Sequence, residues 1–379
     1  MAMTADSKAQ LTRFFEGQLL PDEMFDVMTS DRNWFPHGVL KRGPQVRTFP
    51  SRSCRFPKLE IHDKGSVFDL YDFITTNCVE GLIVLKDGEV AFETYQHGLT
   101  PETLWHSCSL AKSFASTMVG IAVKEGAIAS LDDPLMKYVN LKGGFREVTV
   151  RQLLRMTSGM RWNEDYADPA SERRQLLNIQ TEWRKGGIVD FMQHLPAATL
   201  PGRNWVYNTG ESYLLSAVME GATGMNLVDY MSDRFWSKVG MAQEGRWWVE
   251  SPDGGMAIAG SGMNACLGDY ARLGQFMLEG GRIGDEMLLP DGWRDEAGSP
   301  FTIDGALVPY GYMWWVPELP DPILKNSFQA EGIYGQYIHV NPAHGIVVAM
   351  ACARAKPSYR KRVEINDDAF FAALARAIQ

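Results

Sequence analysis

Gly81-Leu82-Ile83-Val84-Leu85-Lys86-Asp87-Gly88-Glu89-Val90-Ala91-Phe92-Glu93 reads as two apolar strands about an Asp-Gly turn. Further strand signals stand far downstream, at Tyr310 to Pro317, Tyr337-Ile338-His339-Val340 and Gly345-Ile346-Val347-Val348-Ala349-Met350-Ala351. Between them, from Ser109 to about Gly281, Leu153, Leu154, Leu176, Leu177, Leu214, Leu215, Leu273 and Phe276 recur on helical faces. A last helix is expected from about Asp367 to Ile378. Strands from both ends with helices between them predict an α+β fold: a central antiparallel sheet flanked by helices, with an inserted mostly helical domain. The expected organisation is an N-terminal helix and wrapping arm over residues 1–55. A discontinuous sheet domain over 56–105 and 300–379 and a mostly helical domain over 106–299 complete it. A cleft between such lobes suits a small-molecule site.

The 379 residues are enough for a large core, and 45% apolar with 22% charged residues is ordinary for a globular enzyme. The net charge of −9 argues against a nucleic-acid partner. No apolar run approaches the roughly 18 residues of a membrane span. Met1 to Gln18 lacks the pattern of a secretory signal, so a cytoplasmic location is expected. Cys54, Cys78, Cys108, Cys266 and Cys352 form no metal or disulfide spacing. Neither a metal nor a cofactor is implied; a homodimer is left open.

Ser109-Leu110-Ala111-Lys112 opens the helical region, followed by the apolar run Phe114 to Val123. Residues at i and i+3 share a helical face, so the hydroxyl and the amine can meet. A serine becomes nucleophilic when a base takes its proton, and a lysine serves if burial and nearby positive charge hold it neutral. Taken alone, a helix-capping serine explains Ser109 equally well. The same spacing recurs at Ser358-Tyr359-Arg360-Lys361, which reads as a solvated turn. Tyr207, in Pro201-Gly202-Arg203-Asn204-Trp205-Val206-Tyr207-Asn208-Thr209-Gly210, is a candidate proton relay, its phenol made more acidic by a neighbouring ammonium. Packing against a helix start is the ordinary alternative. Glu331-Gly332-Ile333-Tyr334-Gly335-Gln336 lets backbone approach a substrate, and the Ile333 N–H with that of Ser109 would make an oxyanion hole. A glycine bulge in an edge strand also fits it. No G-x-S-x-G, H-E-x-x-H or G-x-x-x-x-G-K is present. The pairs Trp247-Trp248 and Trp314-Trp315 read as packing.

In this order the three elements resemble the serine β-lactamase and penicillin-binding-protein superfamily, in its class C-like and esterase branch. Leu131-Asp132-Asp133-Pro134, Val150 to Gly159 and Asp269-Tyr270-Ala271-Arg272-Leu273-Gly274 carry the resemblance further, from about residue 80 to 355. Trp162-Asn163-Glu164-Asp165-Tyr166 through Glu172, with Glu182-Trp183-Arg184, is similar to the 6-aminohexanoate-dimer hydrolases within it. The resemblance implies a β-lactamase/transpeptidase-like fold and a serine hydrolase forming an acyl-enzyme with a small ester or linear amide. Ser109 would be the nucleophile, Lys112 its base, Tyr207 the relay, and the Ser109 and Ile333 amides the oxyanion hole. It implies that Tyr166 closes over the substrate, with Asn178, Trp183 and Gly332 as further contacts. The Lys-Thr-Gly of β-lactamases is replaced by Ala330-Glu331-Gly332, and Asn178 stands where an aspartate would hold an ammonium. The alternatives are a β-lactamase or D-alanyl peptidase, and a non-catalytic binding relative.

Overall fold

The computed structural model of the chain describes residues 2–30, 34–51, 57–357 and 363–378. Strands β1 (Val79–Lys86) and β2 (Glu89–Tyr95) form the expected hairpin. Its turn residues Asp87 and Gly88 both have positive φ, 52° and 80°. That is the mirror-image turn whose twist suits a two-residue connection. Strands β3 (Phe328–Gly332), β4 (Gln336–Asn341) and β5 (Ile346–Cys352) come from the distal part of the chain. The five make one antiparallel sheet in the order β3-β4-β5-β1-β2. The two chain segments join where β5 pairs with β1, Val348 opposite Val84 and Met350 opposite Leu82.

Both faces of this sheet are covered, which is why β1 and β5 are continuous apolar runs rather than alternating ones. The helices that matter here are α1 (Ala5–Phe15), α2 (Ala111–Lys124), α3 (Thr209–Thr223), α4 (Leu267–Leu278) and α5 (Asp367–Ala377). Leu82, Val84, Val348 and Met350 pack with Phe370, Phe371 and Leu374 of α5. Ile83, Leu85, Val347 and Ala349 face the larger core with Leu273 and Phe276 of α4. Helix α2 is buried on every side from Ala111 to Ala122 and packs against α3.

Three expectations need correction. Tyr310 to Pro317 is not a strand: Tyr310 bridges only Trp315, Trp315 bridges Gln329, and Met313 at φ 57° breaks the extended path between them. The first 55 residues hold more than one helix, since Pro21–Ser30 is a second and His37–Leu40 a strand. That strand heads a second antiparallel sheet, unforeseen because its members are so short: His37–Leu40, Gly245–Trp248, Met263–Ala265 and Trp105–His106, in that order. The second Ser-x-x-Lys, Ser358 to Lys361, lies outside the described residues. Among those described, no helix is long and apolar enough to cross a membrane.

Candidate active site

Trp105–His106 leaves the second sheet directly into a 3-10 turn, Cys108–Leu110, that runs on into α2. Ser109 therefore sits at the amino-terminal end of a buried helix, and Lys112 one turn along it. Lys112 Nζ lies 2.9 Å from Ser109 Oγ and donates to the Gly260 carbonyl at 2.8 Å. Burial pushes the Lys112 amine down to about 7; Glu164 opposes the shift and Arg173 adds to it. The positive end of the helix works in the same direction as burial. An amine poised near neutrality can accept a proton from the hydroxyl it touches.

Tyr207 reaches the same point from the loop before α3. Asn208 caps that helix, its side chain accepting from the Glu211 N–H at 3.1 Å. The loop is tied back by the Val206 N–H to the Met156 carbonyl and the Gly202 N–H to the Thr157 carbonyl. The Tyr207 phenol is near enough to the Ser109 side chain to be lowered by it. Its ring stacks on Trp315, 5.4 Å between centroids, and lies 5.0 Å from Lys112 Nζ. The expected acidification is overturned. Burial raises the phenol well above its ordinary value, and Tyr310, Glu164 and Glu331 raise it further. The group is a neutral hydroxyl, not a phenolate.

The third element also converges here. Gly332 and Ile333 line the Ser109 cavity at the β3–β4 connection. A Cβ on Gly332 would meet the Ser107 carbonyl at 2.5 Å and Cys108 Cβ at 3.0 Å, so only glycine lets the strand approach the turn this closely. Neither the Ser109 nor the Ile333 N–H donates to an acceptor among the described residues. Two such amides beside one hydroxyl can hold a developing oxyanion.

The cavity measures about 360 Å³, with Glu164, Tyr166, Trp315, Glu331, Gly335 and Tyr337 completing its wall. Glu164 is fixed by four donors: Trp162 Nε1 at 2.5 Å, Tyr166 OH and the Thr209 N–H at 3.0 Å, and the Thr209 hydroxyl. Glu331 accepts from Gln329 Nε2 at 2.8 Å. Of the expected residues, Ser109, Lys112, Tyr207, Tyr166, Gly332 and Ile333 come together. Asn178 and Trp183 do not. Asn178 is exposed on its helix, and Trp183 donates its Nε1 to the Trp34 carbonyl at 3.2 Å, away from the cavity. Glu164, Trp315 and the Gly260 carbonyl were not foreseen. Trp315 follows a buried Trp314 and was read as packing, and a backbone carbonyl leaves no trace in residue type.

A serine hydroxyl, a buried amine, a neutral phenol and two backbone amides meet on this fold, and the class is that of a serine hydrolase. The chain belongs to the beta-lactamase family, whose model matches residues 79–370. It is 26% identical over 312 residues to 6-aminohexanoate-dimer hydrolase of Paenarthrobacter ureafaciens, covering 77% of each chain. A shorter match, 27% over 169 residues, is to D-aminopeptidase of Brucella anthropi, covering 42% of this chain and 31% of that one. Among solved structures it resembles a Bacillus anthracis protein carrying the provisional name 6-aminohexanoate-dimer hydrolase. That match has a TM-score of 0.79 at 23% identity and covers 93% of this chain and 92% of the other. The octameric penicillin-binding protein homologue from Pyrococcus abyssi follows the same fold at a TM-score of 0.60 and 20% identity, over 76% and 73% of the chains.

Proposed function

We propose that the chain cleaves small carboxylic esters or linear amides through an acyl-enzyme on Ser109, favouring substrates that carry a positive charge. The observation that carries the reading is the 2.9 Å contact of Lys112 Nζ with Ser109 Oγ, beside two unpaired backbone N–H groups. Neutral Lys112 takes the hydroxyl proton as Oγ attacks the carbonyl carbon. The Ser109 and Ile333 amides hold the oxyanion. Tyr207 passes a proton to the departing amine or alkoxide and is reprotonated from Lys112. Water then attacks the acyl ester with the roles reversed.

Charge preference follows from the wall. Glu164 and Glu331 stand among Tyr166, Tyr207, Trp315 and Tyr337, and among the described residues no lysine or arginine lines this wall, Lys112 lying behind Ser109. Carboxylates and aromatic faces attract a cation and repel a carboxylate. A 6-aminohexanoate dimer, on which the Paenarthrobacter relative acts by its name, carries such an amine. The organisation into a two-part sheet domain over 56–105 and 300–379 and a helical domain over 106–299 is part of this reading. So are a cytoplasmic location, tested by cell fractionation, and a homodimer, tested by light scattering. The deciding experiment labels wild type and Ser109→Ala with a fluorophosphonate, then compares p-nitrophenyl esters ending in ammonium, methyl or carboxylate. Labelling confined to wild type, with the ammonium ester turned over best and nitrocefin inert, is expected. Equal labelling of Ser109→Ala rejects the nucleophile.

A further inference from the structure

Helix α1 lies outside the family-matched residues 79–370, yet it touches two parts of the candidate site. Phe15 stacks flat on Tyr166, 4.6 Å between centroids with the planes 9° apart. The Arg173 guanidinium covers the same two rings, 4.7 Å from Tyr166 and 5.4 Å from Phe15. Arg174 donates both to the Tyr166 carbonyl at 2.7 Å and to Glu16 Oε1 at 3.2 Å. One residue earlier, the Phe14 carbonyl accepts from the Tyr334 hydroxyl, and the two rings meet at 4.8 Å.

Tyr334 directly follows Ile333 and has φ 71°, with Gly335 at 90°. A left-handed tyrosine is costly and persists only where its surroundings hold it. Its side chain is fully buried and runs to the end of α1. The direction of the Ile333 N–H depends on this turn. Tyr166, in turn, is a cavity wall and donates to Glu164 at 3.0 Å.

We propose that the end of α1 is a positioning element of the active site: Phe15 backs the wall residue Tyr166, and the Phe14 carbonyl anchors the turn that aims the Ile333 amide. The inference rests on Ser109 being the nucleophile of this cavity. It separates two effects, since the wall contacts bound substrate and the turn serves the transition state.

The test uses full-length Phe15→Leu, Phe15→Tyr and Tyr334→Phe, assayed on the ester that wild type turns over best. Phe15→Leu keeps apolar bulk but loses the stacked face. It raises KM about fivefold or more and holds kcat within about twofold, while Phe15→Tyr restores KM. Tyr334→Phe keeps the ring and loses the anchor; it lowers kcat about tenfold at near-constant KM. Folded variants with wild-type kcat and KM overturn the proposal. So does Phe15→Leu that fails to fold, or that loses only thermal stability, because α1 is then a structural brace alone. If wild type itself is neither labelled at Ser109 nor active on any ester, the functional reading fails first. If wild type is active and the variants match it, only this inference fails.

Discussion

The Lys112 amine touches the Ser109 hydroxyl at 2.9 Å, and its other hydrogen bond goes to the uncharged Gly260 carbonyl at 2.8 Å. Among the described residues no carboxylate pairs directly with this buried amine. Desolvation therefore outweighs attraction, and the amine titrates about 7 instead of at its ordinary 10.5.

Acylation, measured as the pre-steady-state burst on a p-nitrophenyl ester, should rise with pH through about 7, as Lys112 loses its proton. Stability carries the matching sign. Between about 7 and 10.5 the unfolded chain binds the extra proton, so stability rises with pH across that window. The penalty is fully present below it. Lys112→Met should lower kcat about a thousandfold or more and yet melt about 2 °C or more above wild type at pH 6. The melting difference should close by pH 10.5. A difference independent of pH counts against the buried amine as its source.

Tyr207→Phe separates the leaving groups. A neutral phenol beside Ser109, lining the same cavity, is suited to donate, and an amine needs that proton more than an alkoxide or phenolate does. Turnover of a linear amide should fall about a hundredfold or more, and that of a matched ester about tenfold or less. Equal losses remove the relay role.

Glu331→Gln tests charge selection. The amide keeps the contact with Gln329 and removes the negative charge from the cavity wall. KM for the ammonium-terminated ester should rise about fivefold, with the methyl-terminated ester unchanged. Added salt should narrow the wild-type preference in the same direction. An unchanged ratio between the two esters assigns selection elsewhere.

Glu211 supplies a second pH signature. Its carboxyl is buried in the first turn of α3, where Ser158 Oγ at 2.6 Å and Asn208 Nδ2 at 3.1 Å both donate to one oxygen. Burial pushes it from 4.5 up to about 8 against those hydrogen bonds. The folded chain binds the extra proton between these values, so its contribution is complete below 4.5 and is lost as pH rises through about 8. Glu211→Gln should flatten the decline in melting temperature over that range and melt above wild type at pH 9. Parallel melting curves would place the titration elsewhere.

The parts that were legible in the sequence are those written in local chemistry. Asp87-Gly88 demands a mirror-image turn, and the Ser109 to Lys112 spacing puts two side chains on one helical face. The Gly332 and Ile333 segment needs backbone without side-chain bulk. Long-range neighbours were not legible. The acidity of Tyr207 was misjudged because Lys112 is visible from the motif, whereas Tyr310, Glu164 and Glu331 approach only in the fold. Likeness of a stretch puts Asn178 and Trp183 at the cavity, but Asn178 is on an exposed helical face and Trp183 is held by the Trp34 carbonyl instead. Trp105–His106 is too short to show any periodicity, yet it leads directly into the turn that carries Ser109.

The pairing of β1 with β5 has a consequence for the timing of synthesis. Ser109 and Lys112 leave the ribosome long before the Ile333 turn, and β1 waits through all the intervening helices for its neighbour. Contacts so distant along the chain form late and slowly. The cavity that brings Ser109 together with Gly332 and Ile333 is thus complete only once those last strands are made.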